Sequence, residues 1–426
     1  MKMKMIARSI ALLAFAAVAG QASAAGFQLL EQNASGIGNA YAGSAAVAEN
    51  ASTIFFNPAG MTQLQAREAS VGLSLVRPTF KFSNQGSSTG ALSGSGTGND
   101  AGSWAFIPNG YLSWGLSKDL YVGVGFGAPF GLVTEYDNPW LGGAQAIKFD
   151  IKTYNINPSV AYRINDKVSV GGGLNYQRME AEYVRLATVP SAALAATRVT
   201  LDAGNNAWGW NVGALFTLSP STKVGVSYRS KIKHELKGDL SFSGPAAGVA
   251  PTLTTGNAKA SVDLPDTFIL SVVQNLNDKW EMLGDISWTG WSSIPKVDIV
   301  RTSGILSGGT VQTLDTHFRD TWRYALGANY RLSDMVKLKF GVAYDQTPVP
   351  DAQHRLVSLP DNNRTWFSAG AQIKVAKGSV LDLGAAYLNV PESKVDNNQT
   401  LLGRGRVTGA YDARVWIMGA QYSMAF

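Results

Sequence analysis

The 426-residue chain contains no cysteine, so it has no disulfide framework, no thiolate nucleophile and no thiolate metal ligand. Histidine is nearly absent as well. His234, His317 and His354 are far apart in sequence and share no ligand spacing, so no metal site and no cofactor is expected. After the amino terminus there is no apolar run of about 18 residues, which excludes a transmembrane helix. Nor does one sign of charge dominate. Setting aside Lys2, Lys4 and Arg8 leaves 33 basic and 30 acidic residues, a net charge of about +3 that is too mild to point to nucleic acid.

Those three cations precede a short apolar stretch, residues 10–20, and then Ala22-Ser23-Ala24. A positive start, an apolar run too short to span a bilayer and a small-x-small site describe a cleaved export signal. Residues 1–24 are therefore expected to be removed, leaving Ala25 as the mature amino terminus.

From about residue 67 to 426 the chain alternates apolar and polar residues with period two, the mark of half-buried strands. Val336, Leu338, Phe340, Val342 and Tyr344 take one face, and Lys337, Lys339, Gly341, Ala343 and Asp345 take the other. Short turns are expected near 118–119, 165–167, 219–221, 277–279, 333–334 and 377–378, where Asn, Asp, Ser, Pro and Gly cluster. They take turns with long polar connections at about 83–103, 135–147, 187–204, 238–258, 292–317, 349–361 and 393–404. Six short and seven long connections imply about 14 antiparallel strands of about 12–16 residues. Strict alternation of short and long connections is the habit of an up-and-down outer-membrane barrel. In lipid, a non-helical span must close on itself to satisfy its backbone. Tyr162-Arg163 and Tyr330-Arg331 stand just before turns, as interfacial anchors do. The last strand carries Trp416, Met418, Ala420, Tyr422, Met424 and Phe426 on one face and ends on that Phe, like the assembly signal of outer-membrane proteins.

Residues 25–66 do not alternate. They are rich in Ala, Gly, Asn and Ser, which suits short helical turns packed at close range. A barrel of about 14 strands is too wide for side chains alone to fill, so this segment is expected to plug the lumen. Within it, Pro58 stops any helix, and Asn57 can bond the neighbouring backbone. The third strand, about 119–136, carries Gly127, Pro129 and Gly131 in mid-run. Proline cannot donate to a ladder, and a closed barrel has only central strands, so pairing should break near Pro129.

Several stretches carry a family resemblance. They are the mature start Ala25-Gly26-Phe27-Gln28-Leu29, the run Ser35-Gly36-Ile37-Gly38-Asn39-Ala40-Tyr41-Ala42-Gly43, and Asn57-Pro58-Ala59. Further matches include Phe130-Gly131-Leu132-Val133-Thr134-Glu135-Tyr136, Leu264-Pro265-Asp266, Trp288-Thr289-Gly290-Trp291-Ser292 and Asp345-Gln346-Thr347-Pro348-Val349-Pro350. In this order they resemble the FadL-type long-chain fatty acid transporters. The resemblance implies a 14-stranded barrel plugged by an N-terminal hatch, a lumenal ligand pocket, and a kinked third strand that opens the wall sideways, at Pro129, Phe130 and Gly131. It places Arg185 beside the ligand head group. A second basic residue of the family has no clear match, and His317 and Arg319 are the two substitutes. Phe27 and the amino group of Ala25 fall at pocket positions.

The expected partners are a long-chain fatty acid or another hydrophobic small molecule and outer-membrane lipid, with the chain acting as a monomer. Uptake of monoaromatic hydrocarbons, which relatives of the family perform, is the alternative. No enzyme is expected. Gly86-Ser87-Ser88-Thr89-Gly90 spells a nucleophile elbow but lies in a low-complexity connection rather than between a strand and a helix. Gly123, Gly125 and Gly127 lie on a strand that no helix follows, so they form no phosphate loop.

Overall fold

The computed structural model describes residues 26–88, 94–188, 196–249, 255–304 and 306–426. The export signal 1–24 and Ala25 lie outside the described residues.

Twenty strand segments form one sheet. They are β1 Arg67–Asn84, β2 Ala105–Gly115, β3 Leu120–Gly127, β4 Gly131–Glu135, β5 Lys148–Asn165, β6 Val168–Leu186, β7 Arg198–Ser219, β8 Thr222–Arg229, β9 Ile232–Ser243 and β10 Gly256–Leu264. The chain continues with β11 Thr267–Asn275, β12 Trp280–Thr289, β13 Lys296–Arg301, β14 Thr310–Asp315, β15 Thr321–Arg331, β16 Val336–Asp345, β17 Arg364–Ala376, β18 Ser379–Asn389, β19 Ser393–Asn398 and β20 Arg406–Ala425. Six wall positions are each built from two successive segments: β3 with β4, β8 with β9, β10 with β11, β12 with β13, β14 with β15, and β18 with β19. The twenty segments therefore make fourteen antiparallel positions, and β20 pairs with β1 from Glu68↔Ala425 to Asn84↔Gly409 to close the ring. All six short turns fall where the turn residues place them.

Four of the seven long connections are shorter than the sequence suggests. Residues 238–258 hold the end of β9 and the start of β10, 292–317 hold β13 and β14, 393–404 hold β19, and β7 begins at Arg198, inside 187–204. The expected third strand is interrupted, with β3 ending at Gly127 and β4 starting at Gly131. Strand segments run from 5 to 22 residues, beyond the expected range at both ends.

One reason for the misread connections is a reversal of polarity along the wall. In the part nearer the short turns, outward side chains are apolar and inward ones polar. Leu270, Val272, Ile286, Leu326 and Val342 are exposed, while Ser271, Asp285 and Lys339 are buried. Beyond that zone the order inverts. On β9, Lys233, Glu235, Lys237 and Asp239 face out, and Leu236 and Leu240 face in. Outward ion pairs such as Lys148–Glu182 and Lys296–Asp298 decorate this rim. An apolar outer belt fits lipid, and a polar outer rim fits water.

Residues 26–66 contribute no wall strand and pack inside the ring as short helical turns, Ile37–Asn39, Thr53–Phe56 and Pro58–Gln63. Small residues on both sides make the contact possible. A Cβ on Gly225 of β8 would sit 2.0 Å from the Ala45 carbonyl oxygen, and one on Gly341 of β16 would sit 2.2 Å from the Asn39 carbonyl carbon. Polar ties fix the register. Asn39 Nδ2 donates to Asn329 Oδ1 at 2.9 Å, and Ser44 Oγ donates to Asp285 Oδ2 at 2.9 Å. Asn57 Nδ2 reaches the carbonyls of Ala45 (2.7 Å) and Ala214 (2.9 Å), while its Oδ1 accepts from Ala59 N and so caps the turn that Pro58 begins.

Lys339 lies buried between Glu49 of this segment and Asp382 of β18, at 2.5 and 3.0 Å. Burial pushes the Glu49 carboxyl up, but Lys339 and Lys337 outweigh it and hold it at about 2. A carboxyl depressed by folding stabilises the docked state above its ordinary value of 4.5 and loses that contribution as pH falls towards 2.

Two outcomes follow for planar-bilayer recordings. Gly225→Val should displace residues 45–46 and raise conductance, while heat-modifiable gel mobility shows an intact barrel. Wild-type conductance should rise as pH drops from 4.5 towards 2, and Glu49→Gln should raise it already at neutral pH and remove the acid step.

Candidate functional site

Where the wall turns its apolar side inward, it encloses a cleft. Ile151 of β5, Met179 and Tyr183 of β6, Leu201 of β7, Leu236 of β9, Val262 of β10, Ile299 of β13 and Leu314 of β14 line it. Leu356 and Leu359, from the connection between β16 and β17, close it from above. Its base is aromatic. Trp291, fully buried, meets Phe27 at 5.0 Å between ring centroids, Phe318 at 5.9 Å and Phe130 at 6.3 Å. The cleft has a volume of about 50 Å³, room for a few waters but not for a long acyl chain. An occupant of that size has to part the lining.

Phe27, a pocket position by the family resemblance, lines the base of the cleft. Ala25 lies outside the described residues, and its neighbour Gly26 is held by donating its N–H to Asp361 Oδ2 at 3.0 Å. Phe130 is buried against Phe27, 5.9 Å between centroids.

Pro129 and Gly131 flank Phe130 in the break between β3 and β4. On one side of that break, Ala105–Asn109 of β2 pair with β1, and the pairing of β2 with β3 spans only Gly110↔Phe126 to Gly115↔Tyr121. Among the described residues, 128–131 make no ladder with β2. The amino-terminal segment takes that place. Leu29 N–H donates to the Pro129 carbonyl and Gly131 N–H to the Phe27 carbonyl, each at 2.8 Å, and Gln28 forms an isolated bridge with Phe130. Gln32 Nε2 donates to the Ala128 carbonyl at 2.7 Å, and Thr153 of β5 exchanges hydrogen bonds with Phe130. At the end of β4, Glu135 N–H donates to the carbonyl of Ala101, in the connection before β2, at 3.0 Å.

Arg185 follows Tyr183 by two residues on the inward face of β6. Its guanidinium is buried and donates to the carbonyls of Leu186 (2.8 Å) and Val311 (3.0 Å). Arg404, from the connection after β19, donates to the same Val311 carbonyl at 3.1 Å. Neither guanidinium forms an ion pair among the described residues, and Arg404 Nε has no partner. Burial lowers the Arg404 pKa below its ordinary value. Two buried cations converging on one carbonyl form a strongly anion-seeking spot.

His317 and Arg319 point the other way. They alternate with buried Thr316 and Phe318 and are themselves exposed. His317 pairs with Asp315 at 3.0 Å, and the Arg319 N–H donates to the Pro348 carbonyl. Asn57, Pro58 and Ala59 lie well away from the cleft, against β6 and β7 near the short turns. Arg404, Leu356 and Leu359 are absent from the sequence-based site. They sit in polar connections, where no period-two signal singles them out. Trp291 is visible in the sequence only as part of a family stretch.

A family model described as outer membrane protein transport protein (OMPP1/FadL/TodX) matches residues 15–426. The long-chain fatty acid transport protein of Escherichia coli (strain K12) is 29% identical over 454 residues, covering 98% of each chain. A 47 kDa outer membrane protein of Pasteurella multocida (strain Pm70) is 34% identical over 396 residues, 88% of this chain and 90% of that one. Among solved structures, a Pseudomonas aeruginosa FadL homologue matches with a TM-score of 0.85 at 25% identity, covering 94% of this chain and 99% of that chain. The Pseudomonas putida toluene transporter TodX shares the fold, with a TM-score of 0.73 at 17% identity over 95% of this chain and 100% of that chain.

Proposed function

Because the chain belongs to the outer membrane protein transport protein (OMPP1/FadL/TodX) family, we propose that it carries long-chain fatty acids across the outer membrane by binding them in the lumen and releasing them sideways through the wall. Its fold and relatives make it a multi-pass outer-membrane barrel and a transporter, not an enzyme. The short turns then face the periplasm and the polar rim faces outward.

The observation that carries the reading is the apolar cleft lying between a buried pair of cations and a break in the wall. Each buried methylene gains roughly 0.8 kcal/mol, so a chain of about 16 carbons gains roughly 10 kcal/mol on leaving water. The carboxylate goes to Arg185 and Arg404 as the lining parts, and the tail occupies the cleft down to Phe27 and Trp291. The way straight through is blocked in this conformation. A cavity beside Arg229 and Arg323 and one within the hatch are only about 50 and 40 Å³. Below Phe130, polar groups such as Arg229 and Asn175 fill the space between hatch and wall. An acyl chain on that route would have to leave hydrocarbon-like surroundings. Residues 128–131, unpaired with β2, offer an exit that never does, directly into the membrane. The plug, residues 25–66, keeps the barrel shut to solutes meanwhile, and one chain carries every part of the pathway, consistent with a monomer.

Uptake of a compact aromatic hydrocarbon is the second reading. The small volume of the cleft favours it, since toluene demands less opening than an acyl chain.

Two measurements separate these ideas. Charge-assisted hydrogen bonds contribute about 1.5–3 kcal/mol each, so Arg185→Ala or Arg404→Ala should raise the oleate Kd about tenfold to a hundredfold and leave toluene binding unchanged. Equal losses for both ligands would remove the carboxylate role. The double variant Pro129→Val with Gly131→Val should let β2 pair across the break and lower cellular oleate uptake several-fold without changing assembly or oleate affinity. Wild-type uptake in this variant would sink the sideways exit.

A further inference from the structure

Two of the three histidines in the chain meet in space although they are 37 positions apart. The rings of His317 and His354 are 4.4 Å apart between centroids. With Asp315 they place three donor atoms within 4.8 Å of one another. We propose that Asp315, His317 and His354 bind a divalent transition-metal ion of the zinc class on the outer rim of the barrel, outside the lumenal cleft.

The donor set decides the chemistry. Two imidazole nitrogens and one carboxylate oxygen suit zinc, nickel or copper, whereas magnesium and calcium prefer oxygen alone. Bonds of about 2.0–2.2 Å put the donors of a tetrahedral ion roughly 3.4 Å apart, so the cluster needs only a modest closing. Asp315 and His317 are well exposed and His354 is partly so, which lets side-chain rotation supply it. Three protein ligands leave one position for water.

The surroundings support the arrangement. His354 Nδ1 lies 2.8 Å from Asp351 Oδ1. A carboxylate that accepts the Nδ1 proton leaves the Nε2 lone pair free, the usual outer-shell partner of a metal-bound histidine. His317 adopts φ +45°, in the left-handed region that a residue with a Cβ rarely occupies. Its backbone is held there by donation to the Pro295 carbonyl at 2.8 Å. Such strain persists where surrounding contacts over-determine it. Here it turns His317 towards His354 while Phe318 enters the cleft. Asp315 ends β14, His317 lies in the connection from β14 to β15 and His354 in that from β16 to β17, so a bound ion joins the segment carrying Phe318 to the segment carrying Leu356.

The test is zinc titration by calorimetry of the whole mature protein in detergent. Any affinity tag and lipopolysaccharide are removed, and excess magnesium is present. One zinc per chain is expected, with cobalt giving the visible absorption of a low-symmetry site. The double variant His317→Gln with His354→Gln should lose that zinc, and His234→Gln should keep it. Asp351→Asn should weaken binding about tenfold to a hundredfold, as loss of an outer-shell carboxylate does. Unchanged gel mobility verifies folding of each variant. No zinc bound by the wild type, or equal binding by the double variant, overturns the proposal.

Discussion

A backbone amide that faces hydrocarbon must find its partner within the protein, and the architecture of this chain depends on meeting that demand around a full ring. Fourteen strand positions meet it through their neighbours, with β20 returning to β1. An interruption lies at residues 128–131, where Pro129 has no N–H to offer and Gly131 lets the chain bend. There the hatch makes up the deficit. Leu29 and Phe27 exchange hydrogen bonds with Pro129 and Gly131, and Thr153 serves Phe130 from the other side. The segment packed inside the ring therefore occupies the break in the wall, and the two features are joined by backbone hydrogen bonds.

The second constraint is the solvent outside the wall, which changes from lipid to water along each strand. Beside lipid, apolar residues point outward and the interior is left to Asn, Ser, Asp and Lys, which bind the small-residue hatch. Beside water, Lys, Glu and Asp point outward, and Leu, Ile, Val and Met turn inward to make an apolar cleft. The same period-two strand thus builds a polar seat for the hatch at one level and a dry pocket above it.

That reversal also explains what can be read from the sequence. Within the lipid belt, alternation with apolar outward residues and turn clusters at the ends reveals the strands, and all six tight turns are legible. On the rim most outward residues are charged or polar, as with Lys296 and Asp298 or Lys394, Asp396 and Asn398. Stretches such as Lys296–Arg301 and Ser393–Asn398 then look like loops although they are paired. Pro129 is legible because it stands between Gly127 and Gly131 in mid-strand, whereas Pro78, Pro108 and Pro158 lie within strands that stay paired, so proline alone does not break this wall. Arg185 is legible only through resemblance. Arg404, Leu356 and Leu359 reach the cleft by the folding of irregular connections, and no local spacing encodes that. The meeting of His317 with His354 is of the same kind. Sequence distance separates them, and the return of two adjacent connections brings them together.

Coupling between pocket and wall follows from how short the amino-terminal segment is. Gly26 is tied to Asp361, Phe27 forms part of the floor of the cleft, Gln28 bridges Phe130, and Gln32 reaches Ala128, all within seven residues. A segment this taut cannot yield at one point and stay still at the next. On the proposed reading, an occupant that pressed Phe27 away from Trp291 would displace the carbonyl on which the Gly131 N–H depends. That displacement would loosen the pairing that stands in for β2 at the break. Under the proposed sideways exit, occupancy of the cleft and the state of the wall would be linked through the pair of backbone hydrogen bonds joining Phe27 and Leu29 to Gly131 and Pro129.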